Sequence, residues 1–404
     1  MSSHPRPASV REEHAGVGYA ARMNQPTSPV ARLDRLVLML RAEPDNLPLH
    51  RECVELAMKG RQLDRAMELV DARLARHPGE AESLFSRTNV LIALGRHEEA
   101  LAALKNLEEQ GVAPQAVMQN LATCHFALGQ HATARTYLDR LLAAGEKTPA
   151  VLYLAVSTLH HLGEMDEAVK LADEHAAIAE ANGALAGACA LLYVDTSDLA
   201  KSDKFSRIAL AQNPDSIDGL TVRGTLASNE LETAEAERCF ARVIELMPNN
   251  GRGWLGLGLL TTLEQDFGKA REQIARATEL MPQHVGSWHA LAWAHLFGGD
   301  APGAEKHFAH ALELDHNFAE SHGAMAAMLA IKGDREGAER EIEIADRLDR
   351  KGMSSQFARA MLLDRAEGGQ ASRKFIQKSV LALSTRMPGR ARAVIKDLVE
   401  RASK

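Results

Sequence analysis

Apolar residues recur along this chain in short stripes of helical spacing, each broken by a polar turn. Between residues 251 and 284, Trp254, Leu257, Gly258 and Thr261 fall at i, i+3, i+4 and i+7, one face of a helix. Ala270, Ile274 and Ala277 make a second stripe, and Pro282 closes it because proline cannot continue a helix. The pattern predicts two helices of roughly 13 residues and their turns in each unit.

The unit repeats at a fixed interval. Gly95 to Ala100, Gly129 to Ala134 and Gly163 to Ala168 share one shape (Gly, four positions, Ala), and the step from each to the next is the same. That ruler also runs through Ala66, Ala236, Ala270, Ala304 and Ala338, with Ser202 at the one missing step. A second ruler of equal step passes through Pro78, Pro214, Pro248 and Pro282. Nine units start at 47, 81, 115, 149, 183, 217, 251, 285 and 319 and fill residues 47–352 without an insertion. Alanine at the recurring point has a simple cause, since two helix axes approach closely only where the crossing residue is small. Irregularity is expected between Gly183 and Ser216, where Ser197, Ser202 and Ser206 replace Gly, Ala and a bulky residue.

These residues and their spacing resemble the tetratricopeptide repeat, W-x2-L-G-x2-Y, then A-x3-F, then P. Trp254-x2-Leu257-Gly258 and Trp288-x2-Leu291-Ala292 carry the first part, and Ala236-x3-Phe240 and Ala304-x3-Phe308 the second. The resemblance implies an all-α fold, a right-handed α-solenoid or superhelix of antiparallel helix pairs, with protein–protein interaction as its work. A helix pair cannot bury its own apolar face, so the array needs caps. Residues 29–46, with Leu33, Leu36 and Leu40, suit an N-terminal capping helix. Residues 353–404 fit a degenerate tenth repeat plus a cap beyond Pro388-Gly389.

In similar repeats the second, fifth, ninth, twelfth and thirteenth residues of each first helix line a concave groove. Carried over one residue at a time, that rule places Arg51, Phe85, Asn89, Gln119, Tyr153, His160, His161, Leu255, Leu259, His289, Trp293 and Phe297 on the partner-binding surface. The related clamp for acidic chaperone tails needs Lys at the fifth point with Asn at the ninth. No repeat here has that Lys, and Asn89 is paired with Phe85, which argues against that activity. The groove instead turns apolar and aromatic from Leu255 to Phe297, with Trp293 as the expected anchor for a peptide or amphipathic helix.

Composition changes this picture little. Aromatics are 4% of the chain, which favours helix over strand. The net charge of -7 gives no whole-molecule case for nucleic acid. Residues 351–404, however, carry 12 Lys or Arg against 4 Asp or Glu, a balance of +8 that leaves -15 elsewhere. That asymmetry allows an anionic partner, nucleic acid or membrane, through this segment, or a solvated capping face that folds back on an acidic array. Residues 1–28 read as a disordered tail without the apolar run of a signal peptide, and Met23 is an alternative start. With no membrane-length apolar stretch, the expectation is a cytoplasmic protein.

Candidate chemistry is thin. Cys53, Cys124, Cys189 and Cys239 lie too far apart for a zinc or redox motif and read as small buried side chains. Gly251-Arg252-Gly253-Trp254-Leu255-Gly256 matches G-x-G-x-x-G but opens a helix with no preceding strand, so no dinucleotide site is expected. Seven histidines fall between His284 and His322; most stand where the repeat expects a packed residue, which favours structural roles over metal binding. No catalytic residue, metal or cofactor is assigned. The expected function is a scaffold or adaptor, with a non-catalytic subunit of an enzyme or secretion complex as the alternative.

Overall fold

The computed structural model describes residues 29–367, apart from 113 and 351, and is helical throughout. The expectations for the N-terminal tail, Met23 and the basic stretch after residue 367 lie outside these residues. The described chain divides into two compact units between Thr158 and Leu159.

The first unit opens with α1 (Pro29–Ala42). Helix pairs follow: α2 and α3 (Leu47–Lys59, Leu63–Leu74), α4 and α5 (Ala81–Ala93, His97–Glu109), α6 and α7 (Pro114–Ala127, His131–Ala143). Within the unit each second helix also packs on the first helix of the next pair. Helix α1 buries Leu33 and Leu40 against Cys53, Val54, Ala57, Ala66 and Val70, closing the first pair.

Helix α8 (Pro149–His161) contains the boundary between the units. The second unit continues with α9 (Met165–Glu174) and α10 (Ala176–Ala181), then α11 and α12 (Gly183–Asp195, Leu199–Gln212) and α13 and α14 (Ile217–Asn229, Thr233–Leu246). Next come α15 and α16 (Gly251–Leu263, Phe267–Leu280), α17 and α18 (Val285–Phe297, Ala301–Leu314), α19 and α20 (Ala319–Lys332, Arg335–Leu348), and α21 (Met353–Glu367). The expected irregularity between Gly183 and Ser216 does not break α11 or α12. Ser202 is buried at the helix crossing and donates to the Ala190 carbonyl at 3.2 Å, so its hydroxyl is satisfied inside a close packing. The break lies one helix earlier, at His175, where φ -117° and ψ 23° separate α9 from α10.

Small residues set the helix approach. Ala66, Ala100, Ala134, Ala168, Ala236, Ala270, Ala304 and Ala338 are all fully buried. The glycines that mimic a nucleotide motif have the same use. A methyl on Gly256 would lie 2.5 Å from the Phe240 ring, and one on Gly258 2.3 Å from Ile274. The G-x-G-x-x-G segment therefore packs helix on helix.

The turns inside the pairs share one backbone state. Arg61, Gly95, Gly129, Gly163, Ser197, Leu231, Gln265, Gly299 and Gly333 all have positive φ and recur at the repeat interval. Five are glycine; the other four hold a side chain in the left-handed region at a cost of about 1 kcal/mol each. Gln265→Gly is therefore expected to raise stability by about 1 kcal/mol, read as melting temperature or denaturation midpoint. Gly299→Ala should lower it by a similar amount; nothing lies within 4 Å of a Cβ added there, so the loss is conformational. Equal losses from both variants would refute this account of the turn.

Candidate binding surface

The site expected from sequence falls on the first helices of the pairs. In the first unit its members are tied to their neighbours. Arg51 Nε donates to Glu82 Oε1 at 2.5 Å, from α2 to α4. Both side chains are largely solvated, so the pair contributes little stability. Asn89 Oδ1 accepts from Asn120 Nδ2 at 2.6 Å. Phe85 packs half-buried on the cluster of Leu91, Leu104, Val117 and Leu121. Gln119 and Tyr153 are half-buried.

The second unit separates a polar region from an apolar one. His160 Nε2 and Asp195 Oδ2 lie 2.8 Å apart, while His161 is exposed. Arg252 reaches across from α15 and holds Asp195 with both terminal nitrogens, at 3.0 and 2.6 Å. Burial opposes ionisation of Asp195, but the hydrogen bonds from His160 and Arg252 outweigh it and hold the carboxyl well below the usual range. Asp218 stands close by with its carboxyl pushed up by burial, against the pull of Arg252 and His160. Asp195, Asp218 and Arg252 were not among the expected residues. They occupy the thirteenth and second points of their helices, which the groove rule itself names.

Farther along, Leu255 packs half-buried against the cluster of Ile274 and Leu291. His289 is 7% exposed and shares a 2.9 Å hydrogen bond with Ser321 Oγ, edge-on to Phe308 and Phe318. It thus lies inside the packing and presents no surface. Trp293 is half-buried: it stacks on Phe297 at 5.4 Å and meets Phe308 and Phe357 edge-on at 5.2 and 5.7 Å. Phe297 remains 53% exposed and Leu259 46%. Leu263 at 61% and Ile331 at 37% join them. Leu263, Phe297 and Ile331 occupy one register position in successive repeats, at the ends of α15, α17 and α19.

The histidines have structural partners. His295 Nδ1 lies 2.7 Å from Asp300 Oδ2, and His322 bridges Glu341 and the His316 carbonyl. His307 and His310 pack on the Trp288 ring. Among the described residues no group of three or more His, Cys, Asp or Glu is placed to hold a metal ion. The four cysteines are free and buried, and burial pushes the Cys124 thiol up to about 11 and Cys189 to about 12. No helix among the described residues is long and apolar enough to cross a membrane.

Stacked helix pairs with small crossing residues and an exposed apolar row define an α-helical repeat protein. Tetratricopeptide-repeat family models match residues 54–111 and 91–157. The chain is similar to a chain of the APC/C hetero-tetramer Cut9–Hcn1, with TM-score 0.46 and 14% identity, over 90% of this chain and 84% of that one. It is also similar to the human IFIT1 dimer with PPP-AAAA, with TM-score 0.49 and 16% identity, over 79% and 80%. A comparison with curated proteins gave no match. Residues 54–157 are thus tetratricopeptide repeats, and the described helix pairs after them keep the same paired pattern.

Burial pulls His289 and His307 down to about 4 from the ordinary 6.5. Their unfolded forms take up protons first, so their contribution is complete above about pH 6.5 and is lost as pH falls toward 4. For His289 the loss amounts to roughly 3 kcal/mol. Melting temperature should drop across that window, and His289→Gln should flatten the drop. An unchanged slope in the variant would show that His289 is solvated.

Proposed function

We propose that this protein is a scaffold or adaptor that takes an apolar or amphipathic segment of a partner protein on the first-helix face of the second unit. Tetratricopeptide arrays are generally protein-interaction scaffolds. The observation that carries the finer reading is the exposed row of Leu263, Phe297 and Ile331, flanked by Leu259 and backed by the Trp293 ring. Exposed apolar side chains aligned in this way cost solubility and mark binding surfaces. The row gives three anchor points at one register position of successive helices, suited to a helix or extended strand of a partner.

The anchor shifts from Trp293 to Phe297. Trp293 already spends its ring on Phe308 and Phe357, whereas Phe297 rests on that ring and keeps half its surface for a partner. The same row serves equally if the protein is the non-catalytic member of an enzyme assembly.

A photo-crosslinking residue at position 297 or 263 is expected to capture a discrete protein, and one at the solvated Glu336 of α20 is not. Phe297→Asp should weaken binding of the captured protein about 30-fold with helicity unchanged. Equal capture from all three positions, or unaltered affinity in Phe297→Asp, would remove the row from the interface.

A further inference from the structure

Asp218 holds a carboxyl that its neighbours in the second unit leave unused. It stands at the second position of α13, half-buried, with its side chain laid against α11. A methyl on Gly187 of α11 would come within 3.0 Å of Asp218 Cβ and 3.4 Å of its Oδ2, so the missing side chain there makes room for the acid. The surrounding protein strips water from this carboxyl, yet among the described residues it makes no hydrogen bond and no ion pair.

The groups around it are already committed. Arg252 spends both terminal nitrogens on Asp195, and His160 bonds to the same carboxylate. His284 takes the Ser287 amide on Nδ1 as the cap of α17. Asp195 is thus satisfied and Asp218 is left over. An aspartate at a helix start is ordinarily stabilised by the helix dipole and by water. Asp218 has given up much of the water without gaining a partner, which is costly.

Its place ties it to the apolar row. Arg252, at the second position of α15, touches Asp195, at the last position of α11, so the start of one first helix lies beside the end of the first helix two pairs earlier. By the same step the start of α13 lies beside the end of α8, where His160 acts on Asp218. The register position of Leu263, Phe297 and Ile331 runs back through the exposed Asn229 to Asp195. One edge is therefore apolar over α15, α17 and α19 and polar over α11 and α13.

We propose that Asp218 receives a cationic side chain, lysine or arginine, from the same partner segment whose apolar residues lie on Leu263, Phe297 and Ile331. The inference rests on the binding edge proposed above and adds to it the chemistry of the partner. Two helix widths of about 10 Å separate the apolar row from the carboxyl, which is roughly six residues of extended chain. A charge pair in a site already short of water discriminates strongly against a neutral or acidic residue, and it fixes which way the segment runs.

Selection from a displayed library of random peptides tests it on the full chain, run in parallel on the wild type, Asp218→Asn and Phe297→Asp. Peptides of about 16 residues are long enough, at about 3.3 Å per residue, to span both places. The wild type should enrich Lys or Arg at a fixed distance from apolar residues. Asp218→Asn should keep the apolar residues and lose the basic one, and Phe297→Asp should do the reverse. For one selected peptide, Asp218→Asn should raise Kd about 10-fold, replacement of the basic residue by Gln should do the same, and the two together should go no further. Far-UV helicity should be unchanged in Asp218→Asn, which keeps the shape of the side chain. Equal basic enrichment in wild type and Asp218→Asn, or losses in affinity that multiply, overturn the proposal; apolar enrichment that still depends on Phe297 then leaves the row standing. Basic enrichment that follows Asp218 while apolar enrichment ignores Phe297→Asp supports the cation site and removes the row. An Asp218 carboxyl that titrates below the ordinary carboxylate range in the free protein, followed by carboxyl NMR, is already paired within the chain and overturns the proposal as well.

Discussion

Everything in this protein follows from how closely two helices of one pair can cross. A pair of short helices buries too little apolar surface to be stable alone, so its lifetime depends on a tight crossing and on neighbours that cover what is left. The crossing is tight because one residue per pair is small: alanine at eight positions, and at the ninth Ser202, whose hydroxyl returns a hydrogen bond to the helix it touches. That geometry demands a turn with positive φ, and the chain supplies it even where the residue is Leu231 or Gln265. Four pairs thus carry a local conformational cost that the packing offsets.

Close stacking also shapes the binding surface. In the second unit, side chains reach across an intervening pair: Arg252 of α15 to Asp195 of α11, and Trp293 of α17 to Phe357 of α21. Such reach requires small residues between, and α19 provides Gly323, which lets the Ser354–Ser355 backbone of α21 approach closely, and Ala327, in the cluster on which Phe357 packs. Much of the apolar surface that the repeat pattern directs outward is therefore consumed by the chain itself. What remains exposed there lies mainly at the helix ends, in Leu263, Phe297 and Ile331, with Leu259 one turn back from Leu263. A partner would meet this edge, with the charged Asp195–Arg252 contact as a polar neighbour that fixes orientation more than affinity.

The fold was legible in the sequence because its cause is periodic. A ruler of fixed length through alanines and glycines reads the crossing and the turn together, so the paired helices and their turns could be placed from residues alone. The site was legible only in part. Helical phase tells which side of a helix a residue occupies, but not whether a neighbour two pairs away covers it. His289 therefore looked like surface and is buried against Ser321, Phe308 and Phe318. Trp293 looked free and is half consumed, while Leu263 and Ile331 were passed over although the thirteenth-point rule that picked Phe297 also reaches them. Asp195 and Arg252 were missed for a related reason: their partnership spans 57 residues, and no local pattern encodes it.

The central claim is that the free edge of the first-helix face receives a partner protein. Hydroxyl-radical footprinting of the protein, alone and in complex with the partner captured at Phe297, tests it most directly. The account predicts a several-fold loss of oxidation at Leu259, Leu263, Phe297 and Ile331 on complex formation. Residues of the second helices such as Met247 and Leu348, which are exposed on α14's end and on α20, should be unchanged. Protection confined to Met247 and Leu348, with the edge still oxidised as in the free protein, would contradict it.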